Sequence, residues 1–318
     1  MSFNTNQKLL VFADEVTAGT RVDPTYPTDN NVRLFDVGEA SLDIPKEPIG
    51  QLADGTFAEG PAYSRERRIS IPDFKTEVVW SGLVTTEPKW FRLAQAAGYK
   101  VELNGSNPEL IWDGSTDCDA LSGDLTMYTC GSTPAALREK FRGAVGNLSI
   151  GSDGPQAPII ASMTGMMGAY LGQFDVSGAA IPAYGTLDTA SVEQMGKYTA
   201  TIGGVTYAVQ AWEFNPNNEI NGEGANNDEG IARMKITNQG ARLTMTVTRL
   251  DVASDDPITD MFDNSTIATI AITGGSGAHF TFTFTNSEYV EVQPSDSNGT
   301  ASYDLTLKPT SLTVAQQA

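Results

Sequence analysis

"GAVGNLSIGSDGPQAPIIASMTG", residues 143–165, reads as two strands joined by a tight turn. Leu148 and Ile150 alternate with small or polar neighbours, Ser152-Asp153-Gly154 breaks the run, and Ile159, Ala161 and Met163 resume it. No residue in the stretch is an obvious catalyst or metal ligand. The shape returns at residues 287–308, "SEYVEVQPSDSNGTASYDLTLK". Here Val290 and Val292 alternate, Ser297-Asn298-Gly299 turns, and Tyr303, Leu305 and Leu307 form the returning strand. A hairpin that recurs without chemistry points to repeated architecture.

Outward from that hairpin, strand signals dominate, with Gly, Asn, Asp and Pro clusters between them, so the class is mainly β with few helices. Two short helices are expected. In "TTEPKWFRLAQAAGYK" Pro88 suits a first turn, Trp90, Leu93, Ala94 and Ala97 share a face, and Gly98 takes the left-handed C-terminal position. "SDDPITDMFDNS" repeats the design, with Asp256 as cap, Pro257 at the opening, and Ile258, Met261 and Phe262 on one face.

The two helix openings invite a comparison of the halves. Upstream of the first stand an alternating strand (Ala40, Leu42, Ile44), a polar loop over 49–64 and "RRISIPDFKTEVVW". Upstream of the second stand Val205, Tyr207, Val209 and Ala211, a polar loop over 216–230 and "ARMKITNQGARLTMTVTR". Each half thus runs strand, Gly-rich loop, strand, short helix, further strands, closing hairpin. The second is shorter by roughly two dozen residues, mostly within 99–140, where both cysteines sit. The organisation expected is an N-terminal arm (1–31), a first unit (32–171), a linker (172–196), a second unit (197–308) and a C-terminal tail (309–318).

The 318 residues, 40% of them hydrophobic, suffice for one large β domain or two smaller ones. A formal net charge of −19 repels phosphates and anionic membranes at long range, which argues against a protein that grips DNA by its backbone. The opening "MSFNTNQKLLVFADEV" lacks the pattern of a secretory signal, and no run of about 18 apolar residues occurs, so residence in the cytoplasm is expected. Cys118 and Cys130 are too few for a disulfide framework or a four-cysteine zinc site, and two reduced thiols are expected, with a single bridge between them as the alternative their spacing allows.

Catalytic constellations are hard to assemble. His279, the single histidine, precedes the strand "FTFTF" and reads as a strand-end residue rather than part of a triad. "GGSGAH" lacks the Lys-Ser/Thr ending and the helix of a phosphate loop. "DVASDDPITD" and "NGEGANNDEG" gather oxygen ligands without the order of a calcium-binding EF-hand loop. Trp80 and Trp90 lie on alternating or amphipathic faces where core packing is the default, which weakens a sugar-stacking platform built with Trp112 and Trp212. "RERR", residues 65–68, reads as a local contact or strand-edge guard. The expectation is a non-enzyme with no cofactor and no metal.

Three stretches resemble the major tail tube proteins of long, non-contractile tailed bacteriophages. "LLVFADEVTAGTRVDPTYPTDNNVRLFDVGEASLDIPKE" resembles that family's arm, Gly-Thr…Pro-Thr stretch and first long strand. "LREKFRGAVGNLSIGSDGPQAPIIASMTGMMGAYL" resembles its Gly-Ala-x-Gly-Asn hairpin, and "NEINGEGANNDEGIARMKITNQGARLTMTVTRLD" its second-half loop and strand. The chain departs from the family in its acidity and in its 100–140 segment. The resemblance implies β-sandwich units with a flanking helix, whose long strands join those of neighbours into a β-barrel ring. Rings then stack into the tube through which DNA is ejected. It further implies a virion (tail) protein assembled in the bacterial host cytoplasm, a homo-oligomer, and a tape measure protein and a tail terminator as partners. Duplication favours a pseudo-hexameric trimer over a hexamer.

In such a ring the strand face turned away from the core lines the channel. By parity those positions are Glu39, Ser41 and Asp43 in the first half and Thr244, Thr246 and Thr248 in the second, opposite Leu243, Met245 and Val247. The loops carrying Asp54 and Glu59, and Asn221, Glu223 and Asn226, together with the arm, are expected to reach the next ring. An acidic, hydroxyl-lined wall leaves a passing duplex hydrated and mobile, whereas lysines would bind its phosphates. The rivals are an adhesin or glycan-binding β-sandwich, a hydrolase dependent on His279, and another virion part such as a tail terminator or capsid decoration protein.

Overall fold

A computed structural model describes residues 3–24, 30–33, 41–43, 48–51, 57–59, 68–77, 89–129, 135–177, 195–224, 231–249, 256–275, 278–297 and 299–317. They are mainly β, and the strand pairs are antiparallel. The first part holds β1 (Phe3–Asp14), β2 (Asn30–Arg33), β3 (Ser41–Asp43), β4 (Pro48–Gln51), β5 (Phe57–Glu59) and β6 (Arg68–Glu77). Then come α1 (Lys89–Gln95), β7 (Lys100–Asn104), β8 (Asn107–Trp112), β9 (Leu121–Thr129), β10 (Ala135–Ser152), β11 (Ile160–Met166) and β12 (Ala169–Ser177). The second part holds β13 (Tyr198–Ile202), β14 (Val205–Tyr207), β15 (Val209–Asn215), β16 (Asn218–Gly224), β17 (Ile231–Gln239) and β18 (Arg242–Thr248). It closes with α2 (Pro257–Phe262), β19 (Thr266–Gly274), β20 (Phe280–Ser297), β21 (Thr300–Lys308) and β22 (Ser311–Gln316).

Two strands of 18 residues, β10 and β20, organise the pairing. Each bends near its middle at a residue with positive φ, Gly143 (65°) and Asn286 (45°), the residue types that tolerate the left-handed region best. Before its bend β10 lies between β9 and β12, and beyond it pairs with β11 and β15. Before its bend β20 lies between β19 and β22, and beyond it pairs with β21. Each bend therefore moves one strand from one sheet to another.

Three sheets result. One runs β2–β1–β9–β10–β12. A second runs β14–β13–β19–β20–β22–β8–β7. The third runs β3–β6–β11–β10–β15–β18–β21–β20 and crosses from the first part of the chain to the second at β10–β15. Two hairpins stand apart: β4–β5 between β3 and β6, and β16–β17 between β15 and β18.

The core is a continuous cluster fed by alternating strand positions and by α1. Trp90, Leu93, Ala94 and Ala97 are all buried, as the helical spacing requires, and Gly98 follows with φ 82°. Aromatic rings tie the layers together, with centroids 5.0 Å apart for Trp212 and Phe282, 5.2 Å for Trp112 and Phe214, and 5.5 Å for Phe214 and Phe284. Burying one such side chain is worth about 2–3 kcal/mol.

Several expectations are corrected. The arm contains β1, which pairs with β9 along its length and buries Leu10, Val11 and Phe12. The tail contains β22, whose Leu312 and Val314 are fully buried between β20 and β8. The first residues of the linker belong to β12, and the two polar loops carry the hairpin strands β4, β5 and β16. In α2, Phe262 points away from Ile258 and Met261 and is 74% exposed. Val290 is 45% exposed because a bulge between Tyr289 and Glu291 inverts the parity read from Val292. The segment 100–140 holds the added hairpin β7–β8, whose Glu109–Trp112 stretch pairs with Leu312–Ala315 of β22. Ala40 and Ile44 lie outside the described residues.

Candidate functional site

Among the described residues, the face of the third sheet turned away from the core gathers hydroxyl and carboxylate side chains into register. Leu243, Met245 and Val247 point into the core and are 0–2% exposed, which turns Thr244, Thr246 and Thr248 to the other side, as parity predicts. Register aligns them with neighbours of like character. One row reads Glu213, Thr244, Thr306, Glu291 across β15, β18, β21 and β20, and the next reads Ala211, Thr246, Asp304, Gln293. Cross-strand bonds hold these rows: Thr246 Oγ1 donates to Asp304 Oδ1 at 2.8 Å. Across β10 and β11 the same face continues in Ser149 and Ser162, whose hydroxyls meet at 2.8 Å.

The two rows form a shallow groove of about 400 Å³ whose ionisable lining residues, Asp153, Glu213, Glu291 and Asp304, are all acidic. The basic residues of these strands fall one row further along, Arg242 opposite Asn215 and Lys308 opposite Glu288. The surface is thus acidic and hydroxyl-rich in its middle and mixed at one end. It offers a hydrated, anion-repelling wall.

The crossing from β10 to β15 is built from close backbone approach and an amide network. Ile150, Gly151 and Ser152 pair with Phe214, Glu213 and Trp212. A Cβ on Gly151 would stand 2.8 Å from Glu213 Cα, so glycine permits this spacing. Asn147 Nδ2 donates to Asn215 Oδ1 at 2.8 Å, and Asn147 Oδ1 accepts from Asn218 N at 3.0 Å. Asn218 Nδ2 donates in turn to the carbonyls of Ala97 (2.8 Å) and Gly146 (3.0 Å), and Gln239 Nε2 donates to Asn218 Oδ1 at 2.9 Å. The base of the β16–β17 hairpin is thereby fastened beside α1. Met234 and Ile236 complete the attachment in a small apolar cluster with Ala120 and Val145.

Those of the predicted lining residues that the structure describes belong to one sheet, but on well-separated strands. Thr244, Thr246 and Thr248 are on β18, and Ser41 and Asp43 on the edge strand β3, in register with Ser70 and Arg68 of β6. Glu39, Asp54 and Asn226 lie outside the described residues, and Glu59 is placed only as the last residue of β5. Asn221 and Glu223 belong to strand β16, where Asn221 is exposed and bonds Thr237, and the Arg233 guanidinium, 2.6 Å away, holds the Glu223 carboxyl below its usual range. Sequence reasoning missed Glu213, Glu291, Gln293 and Asp304. The signal was available for Glu213 and Asp304, which alternate with buried Trp212 and Phe214 and with Tyr303 and Leu305.

The other candidates find structural places. His279 precedes β20, where its carbonyl accepts from Gln317 N at 2.8 Å. Trp90, Trp112 and Trp212 are 2–3% exposed, which removes them from any sugar platform, while Trp80 lies outside the described residues. Asp256 caps α2 by accepting from Thr259 N, and that bonding with Thr259 lowers its pKa. Arg65 and its neighbours in the basic cluster lie outside the described residues except for Arg68 at the start of β6. Burial raises the Cys118 thiol pKa, and Cys130 lies outside the described residues. The Tyr99 hydroxyl, likewise raised by burial, donates to Leu148 O at 2.9 Å and ties α1's end to β10. No protein-family model matches the chain, and no curated protein matches it.

Proposed function

We propose that the chain is a structural wall subunit of the phage major tail tube kind, three copies of which close a ring whose stacked rings form a channel for DNA. The observation that carries this reading is a pairing plan that occurs twice. In the first half, β2–β1–β9–β10–β12 surrounds the early part of a bent strand, and β3–β6–β11 leads to its late part. In the second, β14–β13–β19–β20–β22 and β15–β18–β21 do the same. The hairpin between β3 and β6 has its counterpart between β15 and β18, and α1 has its counterpart in α2. Each half on this reading is one sixth of a ring.

The remaining features agree with that role. The sheet joining the halves presents hydroxyls and carboxylates on its open face, a lining past which a duplex slides without trading its counterions for lysines. A formal charge of −19 favours both low friction and solubility of a self-associating subunit. A tape measure protein inside the tube and a terminator at its end are the partners this role implies. The test is electron microscopy of the purified protein over a concentration series, with light scattering for the smallest species. Hollow tubes or rings of threefold mass are expected; a monomer at every concentration overturns the reading.

A further inference from the structure

We infer that a second copy of this chain seats on its neighbour through two elements at once: its β3 pairs with residues 291–297 of the neighbour's β20, and its β4–β5 hairpin covers the neighbour's Phe262 and Val290. The inference rests on the ring reading above and names the surfaces that close the ring. Its template lies within the chain. There, β15 pairs with the end of β10, and the hairpin that follows β15 lies over the end of α1. The contact is close: a Cβ on Gly98, just past α1, would stand 3.0 Å from Ile236 Cδ1 of β17.

Among the described residues, no hairpin covers the corresponding place in the second half. Past α2, Asn264 takes φ 51° where Gly98 takes 82° past α1, and Asn286 bends β20 where Gly143 bends β10. Among the described residues, positions 291–297 pair only with β21 and β3 pairs only with β6. These are the two ends of the third sheet. Beside this end, α2 packs on β20, and here stand Phe262, 74% exposed, and Val290, 45% exposed. At the corresponding place in the first half, Ala97, Gly98 and Gly146 are covered by the β16–β17 hairpin. An exposed aromatic at the end of a short helix, beside a strand with one edge free among the described residues, fits an occupant that brings its own edge. The hairpin that follows β3, like the one that follows β15, is the element placed to provide that cover.

Because β3 and the end of β20 are different surfaces, their pairing is head to tail, which closes a ring when the rotation permits and leaves no free edge. The pairing is antiparallel, as at β10–β15, and the register copied from Gly151–Glu213 sets Ser295 opposite Ser41 of the next copy. Other antiparallel registers of the same edges shift this pair by two residues and keep its face.

The experiment uses the full chain with Cys118→Ser and Cys130→Ser. One preparation adds Ser295→Cys and another adds Ser41→Cys; each alone, their mixture, and a chain carrying both are treated with a short bifunctional thiol reagent and resolved on a denaturing gel. The mixture is expected to give covalent dimers that neither preparation gives alone, and the doubly substituted chain a ladder ending at trimer. Separately, Phe262→Asp and Val290→Asp are each expected to raise the concentration needed for assembly about tenfold or more, while the monomer's thermal midpoint stays near that of the parent. Rings that form without the mixed cross-link, or that form equally well in both Asp variants, overturn the proposed surface and leave the tube standing. Absence of any assembly by the parent chain overturns both.

Discussion

Glu15 is the side chain whose replacement is expected to test the first half most directly. It stands just past β1, is 7% exposed, and its two oxygens accept three hydrogen bonds. Oε1 takes the Ser122 hydroxyl at 2.6 Å and Gly143 N at 2.7 Å, and Oε2 takes Gly19 N at 2.6 Å. It thereby ties the turn after β1 to the residue at which β10 bends between sheets. Hydrogen bonds to a charged group contribute about 1.5–3 kcal/mol each, and holding a carboxylate out of water costs several kcal/mol. The net expected for Glu15→Ala is a loss of about 2–4 kcal/mol, since it also leaves the Gly143 N–H without its acceptor. Glu15→Gln keeps one accepting oxygen and turns an N–H toward a donor, so about 1–2 kcal/mol is expected. Urea denaturation followed by circular dichroism reads both losses, and amide exchange at Gly143 localises them. A loss below 1 kcal/mol in Glu15→Ala, or equal losses in the two variants, refutes this account of the bend.

Three further outcomes are expected. Gly151→Ala forces a Cβ to within 2.8 Å of Glu213 Cα and close to the Trp212 carbonyl, so it should loosen the β10–β15 crossing. Faster amide exchange across residues 212–214 than in the parent is the readout, and unchanged exchange contradicts it. The Cys118 thiol, its pKa raised chiefly by burial, holds less thiolate at pH 8 than a free cysteine. In a Cys130→Ser chain its alkylation by iodoacetamide should lag that of glutathione and accelerate with rising pH; labelling as fast as glutathione's sinks the claim. On the wall-subunit reading proposed above, Glu213→Lys with Asp304→Lys, both at exposed positions, should leave folding intact and make the assembled protein retain duplex DNA at low salt. Retention no greater than the parent's, by filter binding, removes the acidic face from the mechanism.

What the sequence disclosed and what it withheld follow from locality. Alternation belongs to a single strand, so Leu243, Met245 and Val247 identified the buried face, and Thr244 the open one, before any partner strand was known. The helices were legible for the same reason, because Pro257, Asp256 and Gly98 act within one turn of themselves. Val290 was misread because a bulge adds one residue to the strand without any mark in the alternating pattern around it. β22 was misread because "SLTVAQ" is short and buried only by strands that arrive from far along the chain, β8 from the first part and β20 from the second.

Pairing is the property a strand cannot state about itself. Sequence order alone puts β15 among the elements of the second part, yet its edge completes a sheet begun in the first, and Gly151 carries the steric requirement that makes this possible. Strand β16 looked like part of a polar loop because Asn221 and Glu223 face outward, while the residues that fasten its hairpin, Asn218, Met234 and Ile236, answer to partners on β10 and beside α1. Asn286 and Gly143 offer the complementary lesson. Each is a residue suited to positive φ placed inside a long strand, at the point where that strand changes sheets. That placement constrains where the chain bends. Which edge the bent strand then meets is decided by the rest of the fold, and at β20, on the reading proposed above, by another copy.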